Sequence, residues 1–390
     1  MRVGINGIGI GGPTLAYWLK RYGHEPVLFE KADALRAEGF VVDFWGLGYQ
    51  VAEKMGIVER LRAKGKEMNR LSFVADDGHE VAGLDTTEVR QRWNNRFITV
   101  PRGVICEELF KACEGVEARF GTHIVGLDED ADRVSATLSD GTHEDFDAVV
   151  GADGLHSAIR GLVFGPEDEF ESFLDCYVAV FRAPNYPNTD EGKYLAHSIP
   201  NRWAARIQRY DGTTVILLIF RASLLDQEPH SQDDVRRCLR EVYADVKWEV
   251  PEMLCYLDEG PVYFDRISQI RMPTWSKGRV ALLGDAAACA SLLAGEGTGL
   301  AMTEAYVLAG ELHRSGGDVA LAYRRYEDKL AKFVRREQDH AKTFRMFFAP
   351  ASRAAVWTRD LLIKMAGLPG MTGFVAGQSV PAFEFDDYGP

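Results

Sequence analysis

The opening thirty residues, MRVGINGIGIGGPTLAYWLKRYGHEPVLFE (residues 1–30), decide the fold. Met1 to Asn6 is a short apolar run with the pattern of a buried parallel strand, and Pro13 to Tyr22 places Leu15, Trp18 and Leu19 at helical spacing. Gly23-His24-Glu25 then turns the chain into a second strand, Pro26 to Phe29, ending on Glu30. Strand, turn, helix, turn and strand within about thirty residues make one βαβ unit. Gly7, Gly9 and Gly12 lie between the first strand and the helix, in the order G-x-G-x-x-G. In that position the first permits a tight turn, the second lets a diphosphate approach the backbone, and the third lets helix and strand pack closely. The helix start aims unsatisfied N–H groups and a partial positive charge at the phosphates. Glu30, followed by Lys31, stands 23 residues after Gly7, where a carboxylate suits ribose hydroxyls and disfavours a 2′-phosphate.

Outward from this unit, the 390 residues are long enough for one two-lobed enzyme, with 46% hydrophobic and 26% charged residues and no low-complexity tract. Forty-five basic against 58 acidic residues leave a net charge of −13, which argues against a nucleic-acid partner. Arg324, Arg325, Arg335 and Arg336 are interleaved with acidic residues on one predicted helix and read as a solvated face. The six cysteines form no CxxC pair and no metal-ligand spacing, so reduced thiols and no metal site are expected. The start lacks the pattern of a secretion signal, and Leu361 to Gly377, interrupted by Lys364 and Pro369, is too broken to span a bilayer. A cytoplasmic protein without integral membrane association is the expectation. No GxSxG elbow, HExxH helix or Walker loop is present.

The rest of the pattern predicts an α/β fold: a Rossmann-like dinucleotide-binding domain with an inserted, mainly antiparallel sheet. Helices are expected over Tyr49–Gly65 and Val104–Glu114, and strands between Leu71 and Val100, around Val116–Val125, over Val134–Leu138, and in the doubly apolar run Asp147–Gly151. Tyr177–Phe181, Arg202–Tyr210 and Thr213–Phe220 read as antiparallel strands. After Pro273 come a strand over Val280–Leu283, an apolar helix over Thr298–His313 and a long charged helix over Val319–Phe348. Residues 1–70, 99–168 and 272–345 are assigned to the dinucleotide domain, 71–98 and 169–271 to the substrate-binding sheet domain, and 346–390 to a helical segment closing the pocket.

Two further stretches narrow the cofactor. Residues 147–160 read DAVVGADGLHSAIR and residues 278–287 read GRVALLGDAA, each a strand ending in a Gly/Asp turn. With these, nearly the whole chain resembles the flavoprotein aromatic hydroxylases, single-component FAD-dependent monooxygenases that include the tetracycline-inactivating branch. The resemblance implies that Asp285 bonds the ribityl chain of FAD, that Asp153 and Gly154 lie near FAD and a transient NADPH or NADH, and that Arg102 reaches the flavin side. It also matches Asp43 to an acidic residue near FAD and Arg36 to an arginine associated with the reduced nucleotide. Gly295, Gly297, Thr298 and Gly299 open the apolar helix after Asp285, so its N–H groups would sit beside the flavin edge where negative charge accumulates on reduction. Many members carry His after the Gly-Asp-Ala-Ala run and proline before the glycines, whereas this chain has Ala288-Cys289 and Leu292-Leu293, which puts the shape of the substrate pocket in doubt.

The implied activity is an NAD(P)H- and O2-dependent monooxygenation through a flavin C4a-hydroperoxide, acting on an aromatic or polyketide-like small molecule, with no dedicated catalytic side chain because the cofactor carries the chemistry. Tyr177, Phe181, Trp203, Arg206 and Phe220 are the candidates for lining the substrate side. His156 and His340 are acid/base candidates set against tolerated surface histidines. A flavin-dependent reductase or dehydrogenase on the same fold, and a non-catalytic FAD-holding module, remain as alternatives. Hydroxylation versus Baeyer–Villiger insertion stays open at this point.

Overall fold

The computed structural model describes residues 1–35, 41–92, 94–187, 190, 192–291, 295–366 and 383–389. Val3, Ile5, Val27, Leu28, Val149 and Val150 are fully buried, and their runs pair in parallel: Ile5 lies opposite Val150 on one side and Leu28 on the other. These strands belong to a six-stranded sheet ordered Ser276–Lys277, Val280–Leu282, Ala148–Gly151, Arg2–Asn6, Glu25–Glu30, Glu117–Phe120, parallel except for the Ser276–Lys277 edge. Both faces are covered, one by helices such as Gly11–Arg21 and the other by Phe146, whose ring lies against Gly4 and edge-on to Phe29 at 6.0 Å, which is why the strands read as continuous apolar runs rather than alternating ones. The helix Gly11–Arg21 packs against Gly297–Arg314, with Trp18 edge-on to Tyr306 at 4.8 Å. No helix among the described residues is long and apolar enough to cross a membrane.

The second large sheet has seven strands, ordered Tyr263–Ile270, Glu171–Ala183, Thr214–Arg221, Arg202–Gln208, Lys193–Ile199, Arg70–Val74, Glu80–Asp85. Every pairing is antiparallel except Lys193–Ile199 with Arg70–Val74. Both of its faces are apolar. One packs Ala179, Ala204, Ile216 and Leu218 under Val235, Leu239 and Val242 of the helix Gln232–Val242. The other buries Val178, Val180, Ala205 and Ile219 with Phe73, Ala349 and Ile363, and Val41 from the first half packs onto it. We call the first face outer and the second inner.

Several elements differ from the sequence expectation. The helix expected over Tyr49–Gly65 is two, Gly46–Lys54 and Val58–Ala63, because Gly56 adopts φ +69° and ends the first. The strand expected around Val116–Val125 also divides: Glu117–Phe120 joins the parallel sheet, and Ile124–Glu129 starts a three-stranded meander with Val134–Leu138 and His143–Phe146. The C-terminal segment does not act as one closing piece. The helix Arg353–Ala366 packs on the inner face through Ile363, while residues 383–389 return to the dinucleotide half. There Tyr388 bonds Glu311 at 2.8 Å, and a side chain on Gly310 would meet its ring. The Tyr388 ring finds its burial where a glycine leaves room. Residues 367–382, most of the expected lid, lie outside the described residues.

Candidate cofactor and substrate site

The strands Arg2–Asn6, Glu25–Glu30, Ala148–Gly151 and Val280–Leu282 all run the same way, so their carboxyl ends deliver Gly7, Glu30, Asp153 and Asp285 to one edge of the sheet. Open α/β sheets bind ligands at that edge. A Cβ on Gly12 would stand 2.0 Å from the Gly7 carbonyl oxygen, so the helix can start this close to the strand only with glycine there. A Cβ on Gly9 would meet only an Arg102 nitrogen, at 3.8 Å, which leaves its backbone facing open space. The helix Gly11–Arg21 has neither a capping side chain nor an acid in its first turn. Its leading N–H groups are therefore left for an anion.

Glu30 ties this loop together: one carboxylate oxygen accepts from Ile8 N at 2.9 Å and the other from Ala32 N at 3.0 Å. Each oxygen keeps a lone pair for a ribose hydroxyl. Lys31 is exposed. Arg102 opens the helix Arg102–Ala112 behind Pro101, and among the described residues its guanidinium has no hydrogen-bond or ion-pair partner. An unpaired cation beside Gly9, in a molecule where most arginines are matched to carboxylates, is the feature that best fits a phosphate-bearing cofactor.

Asp153 points the other way. Its carboxylate accepts from Ser157 Oγ at 2.5 Å, Ala158 N at 2.8 Å and Asn6 Nδ2 at 3.0 Å, capping the helix Ala158–Val163 and fastening it to the first strand. Burial pushes its pKa up against those bonds. Its neighbour Gly154 is half-buried in the turn beside it, with φ +84° and open space where a side chain would go. Arg160, fully buried, bonds Ala286 O at 3.1 Å and so joins the DAVVGADGLHSAIR stretch to the Gly284-Asp285 turn. His156 lies 2.8 Å from Glu167 and 3.4 Å from Asp265.

Asp285 begins a short helix after Gly284, and the position of a Gly297 Cβ lies 3.7 Å from its carboxylate. The turn is held from behind by Glu304, which accepts the Gly284 N–H and, at 3.3 Å, the Tyr326 hydroxyl. Burial raises the Glu304 carboxyl to about 8. Sequence reasoning passed over Glu304, although an acid inside the apolar run LAMTEAYVLAGEL, which holds Glu304 and Glu311, was a visible signal.

Gly295, Glu296, Gly299 and Leu300 form one wall of a crevice whose other wall is Asp43 to Gly48. The walls touch glycine to glycine, since a Cβ on Gly48 would lie 2.4 Å from Gly299 Cα. The helix Gly297–Arg314, with Thr298 in its first turn, has no side-chain cap and no first-turn acid, so its leading N–H groups are free to meet developing negative charge. Burial and the neighbouring Glu337 carboxylate raise the Glu296 carboxyl. Glu337 is in turn 3.8 Å from His340. Asp43 accepts from Thr99 Oγ1 at 2.6 Å; it opens to the crevice yet is walled closely enough by protein to raise its pKa. Tyr194 of the inner sheet face lies within electrostatic reach of Asp43, so crevice and sheet meet there. Arg36 and Leu292-Leu293 lie outside the described residues.

The expected substrate lining is corrected by side-chain alternation. Tyr177, Phe181 and Phe220 belong to the outer core beneath the helices, away from the crevice. Arg206 also points outward, where it pairs with Glu249 at 2.5 Å and Asp190 at 3.0 Å. Trp203 does face inward, but it is sealed by Phe73, Phe347 and Phe348, the nearest ring at 4.9 Å. Residues of the inner face left partly open include Leu71, Leu84, Tyr194 and Leu217, with Val41 packed against them.

Residues 1–315 match the family described as FAD binding domain. A flavin-dependent monooxygenase from an unknown prokaryotic organism is 34% identical over 342 residues, covering 87% of each chain. Among solved structures, tetracycline destructase Tet(55) is similar with a TM-score of 0.84 at 28% identity, covering 99% of this chain and 98% of its own. Klebsiella pneumoniae HpxO, crystallised with FAD and uric acid, shares the fold with a TM-score of 0.82 at 21% identity, covering 97% of this chain and 95% of its own.

Proposed function

This chain belongs to the FAD-binding family of flavin-dependent monooxygenases, and from that premise we propose that it spends NAD(P)H and O2 to oxygenate an aromatic or polyketide-like small molecule. The balance is substrate, O2, NAD(P)H and one proton to oxygenated substrate, NAD(P)+ and water. FAD, when bound, supplies the two-electron chemistry that links the nicotinamide hydride to oxygen activation. The chain's own residues hold, orient and shield.

Gly7, Gly9 and Gly12 with the start of the first helix receive the diphosphate, Glu30 and Lys31 face the ribose, and Arg102 supplies the matching positive charge. Asp285 takes the ribityl hydroxyls, its turn fixed by Glu304. Asp153 and Gly154 shape the adjoining turn rather than touching the cofactor through the Asp153 carboxylate. The N–H groups of Gly297, Thr298 and Gly299 stabilise negative charge on the reduced ring, while Gly295 leads the chain into that position. Asp43 and Thr99 form the opposite wall. Tyr194, Leu217 and Val41 offer an apolar surface with a single hydroxyl, which suits a flat, mostly carbon-built substrate and excludes water.

The Arg102 guanidinium, without a hydrogen-bond or ion-pair partner among the described residues and beside the open backbone of Gly9, is the observation that carries this reading. The test is to purify the protein, record its visible spectrum, and follow NADPH and NADH oxidation in air with a panel of phenolic and polyketide compounds. A yellow protein whose NAD(P)H oxidation accelerates with one compound, and whose product gains one atom from 18O2, establishes the monooxygenation and identifies the substrate. Reduction without oxygen transfer to any compound points to a reductase, and bound flavin that neither nucleotide reduces points to a ligand-holding module.

A further inference from the structure

The large apolar side chains that stay exposed are not spread evenly over the molecule. Among the described residues, half of them lie within one helix, Arg353–Ala366: Trp357 is 67% exposed, Leu361 40%, Leu362 61% and Met365 49%. Trp357, Leu361 and Met365 recur every four residues and so form one stripe along the helix, which Leu362 widens. The opposite face is fixed by Arg359 and Ile363, again four apart. Arg359 is buried, donates from Nη1 to Ser198 Oγ at 2.9 Å and to the Phe347 carbonyl at 3.0 Å, and lies over the Phe73 ring at 4.7 Å. Ile363 packs into the inner face of the seven-stranded sheet. A helix pinned in this way cannot roll its apolar stripe inward.

Size and charge narrow what meets the stripe. Its four side chains expose about 400 Å² of apolar surface, enough to mark an interaction site but only half of the roughly 800 Å² that each partner of a stable dimer buries. The charges beside it are basic. Arg353 and Lys364, about three turns apart, run along one flank of the stripe and are exposed. Asp360, the helix's only acid, is turned in against Arg359 at 2.7 Å with 17% of its side chain exposed. Residues 341–366 hold Lys342, Arg345, Arg353, Arg359 and Lys364 against that one acid, in a chain whose net charge is −13. An apolar stripe with tryptophan at one end and a basic flank is complementary to an anionic lipid surface, where rings and leucines enter the acyl boundary while lysine and arginine meet the phosphates.

We infer that the helix Arg353–Ala366 seats the protein on an anionic bilayer surface, lying in the membrane plane with Trp357, Leu361, Leu362 and Met365 inserted and Arg353 and Lys364 at the headgroups. At 14 residues the helix is too short to cross the bilayer, so the seat is peripheral. On the function proposed above, it holds the enzyme where apolar compounds concentrate. The seat itself requires neither flavin nor turnover, so it stands or falls apart from that reading.

The test is co-sedimentation of the purified full chain with vesicles of phosphatidylcholine alone and with vesicles in which roughly a third of the lipid is phosphatidylglycerol. The parent should sediment with the anionic vesicles, and less so as salt is raised. Leu362→Glu and Trp357→Ala should each weaken that binding about tenfold, and Lys364→Glu about threefold at low salt, with the last difference closing at high salt. All three side chains are exposed, so thermal unfolding should stay at the parent's temperature and show each variant folded. NAD(P)H oxidation in the absence of vesicles should also be unchanged. A parent that stays in the supernatant with anionic vesicles overturns the inference, as does a Leu362→Glu variant that sediments as the parent does. A parent that is dimeric by analytical ultracentrifugation, and that Leu362→Glu converts to monomer without any vesicle binding in either, gives the stripe to a second copy of the chain and overturns it equally.

Discussion

The dinucleotide half and the inserted sheet treat arginine in opposite ways. Arg102 stands beside Gly9 with no hydrogen-bond or ion-pair partner among the described residues, whereas Arg206 is buried to 4% exposure between Glu249 and Asp190 and lies over the Tyr186 ring. Both are arginines near apolar strands, and both were singled out from sequence as site residues. One is left unsatisfied by the fold and therefore available to a ligand, while the other is consumed by it. Whether a charged side chain serves function or architecture is decided by its partners, and those come from distant parts of the chain.

The largest expected effect follows from that contrast. Arg206→Ala leaves two carboxylates facing an emptied, largely desolvated space and should lower stability by about 3 kcal/mol, read by chemical denaturation, with FAD affinity in the surviving folded fraction unchanged. A variant that loses FAD but not stability would place Arg206 in the site after all. Gly12→Ala should come next, at about 1–3 kcal/mol, because the added carbon collides with the Gly7 carbonyl rather than with a flexible side chain. Here stability and flavin content of the purified protein should fall together, since the same contact sets the phosphate-facing loop. Arg102→Ala reverses the Arg206 pattern: thermal stability should hold within about 0.5 kcal/mol while the FAD dissociation constant rises about tenfold. Equal losses in both measurements would show that the arginine has a structural partner.

The two halves also differed in how far they could be read. In the dinucleotide half the chemistry depends on backbone atoms, so it writes itself into residue type: a glycine where a Cβ would sit 2.0 Å from a carbonyl oxygen, an acid where the second strand ends. Parallel strands apolar on both sides announced their own burial. The sheet half offered no such signal. Its strands are apolar on both faces because the helix Gln232–Val242 covers one and the C-terminal helices, with Val41, cover the other, so alternation was visible but its direction was not. A one-residue shift exchanges the two faces completely. Tyr177 and Val178 are equally plausible lining residues until the helix Gln232–Val242 is known to lie over the first.

The smallest expected effect tests that assignment of faces directly. Tyr177 and Tyr194 are both tyrosines on strands of the same sheet, one in the outer core and one on the inner face near Asp43. Removing a single hydroxyl changes little in volume, so each Tyr→Phe substitution should alter stability by no more than about 0.5 kcal/mol. Their effects on catalysis should nevertheless part. Tyr194→Phe removes a hydroxyl that the inner face offers to substrate and should raise KM about threefold with kcat nearly unchanged, the pattern of a lost binding contact. Tyr177→Phe should leave both constants as they are. If the two variants behaved alike, the crevice beside Asp43 would not be where substrate meets the sheet; if Tyr177→Phe alone raised KM, the outer face would have to open during turnover, and the helix Gln232–Val242 would be the element that moves.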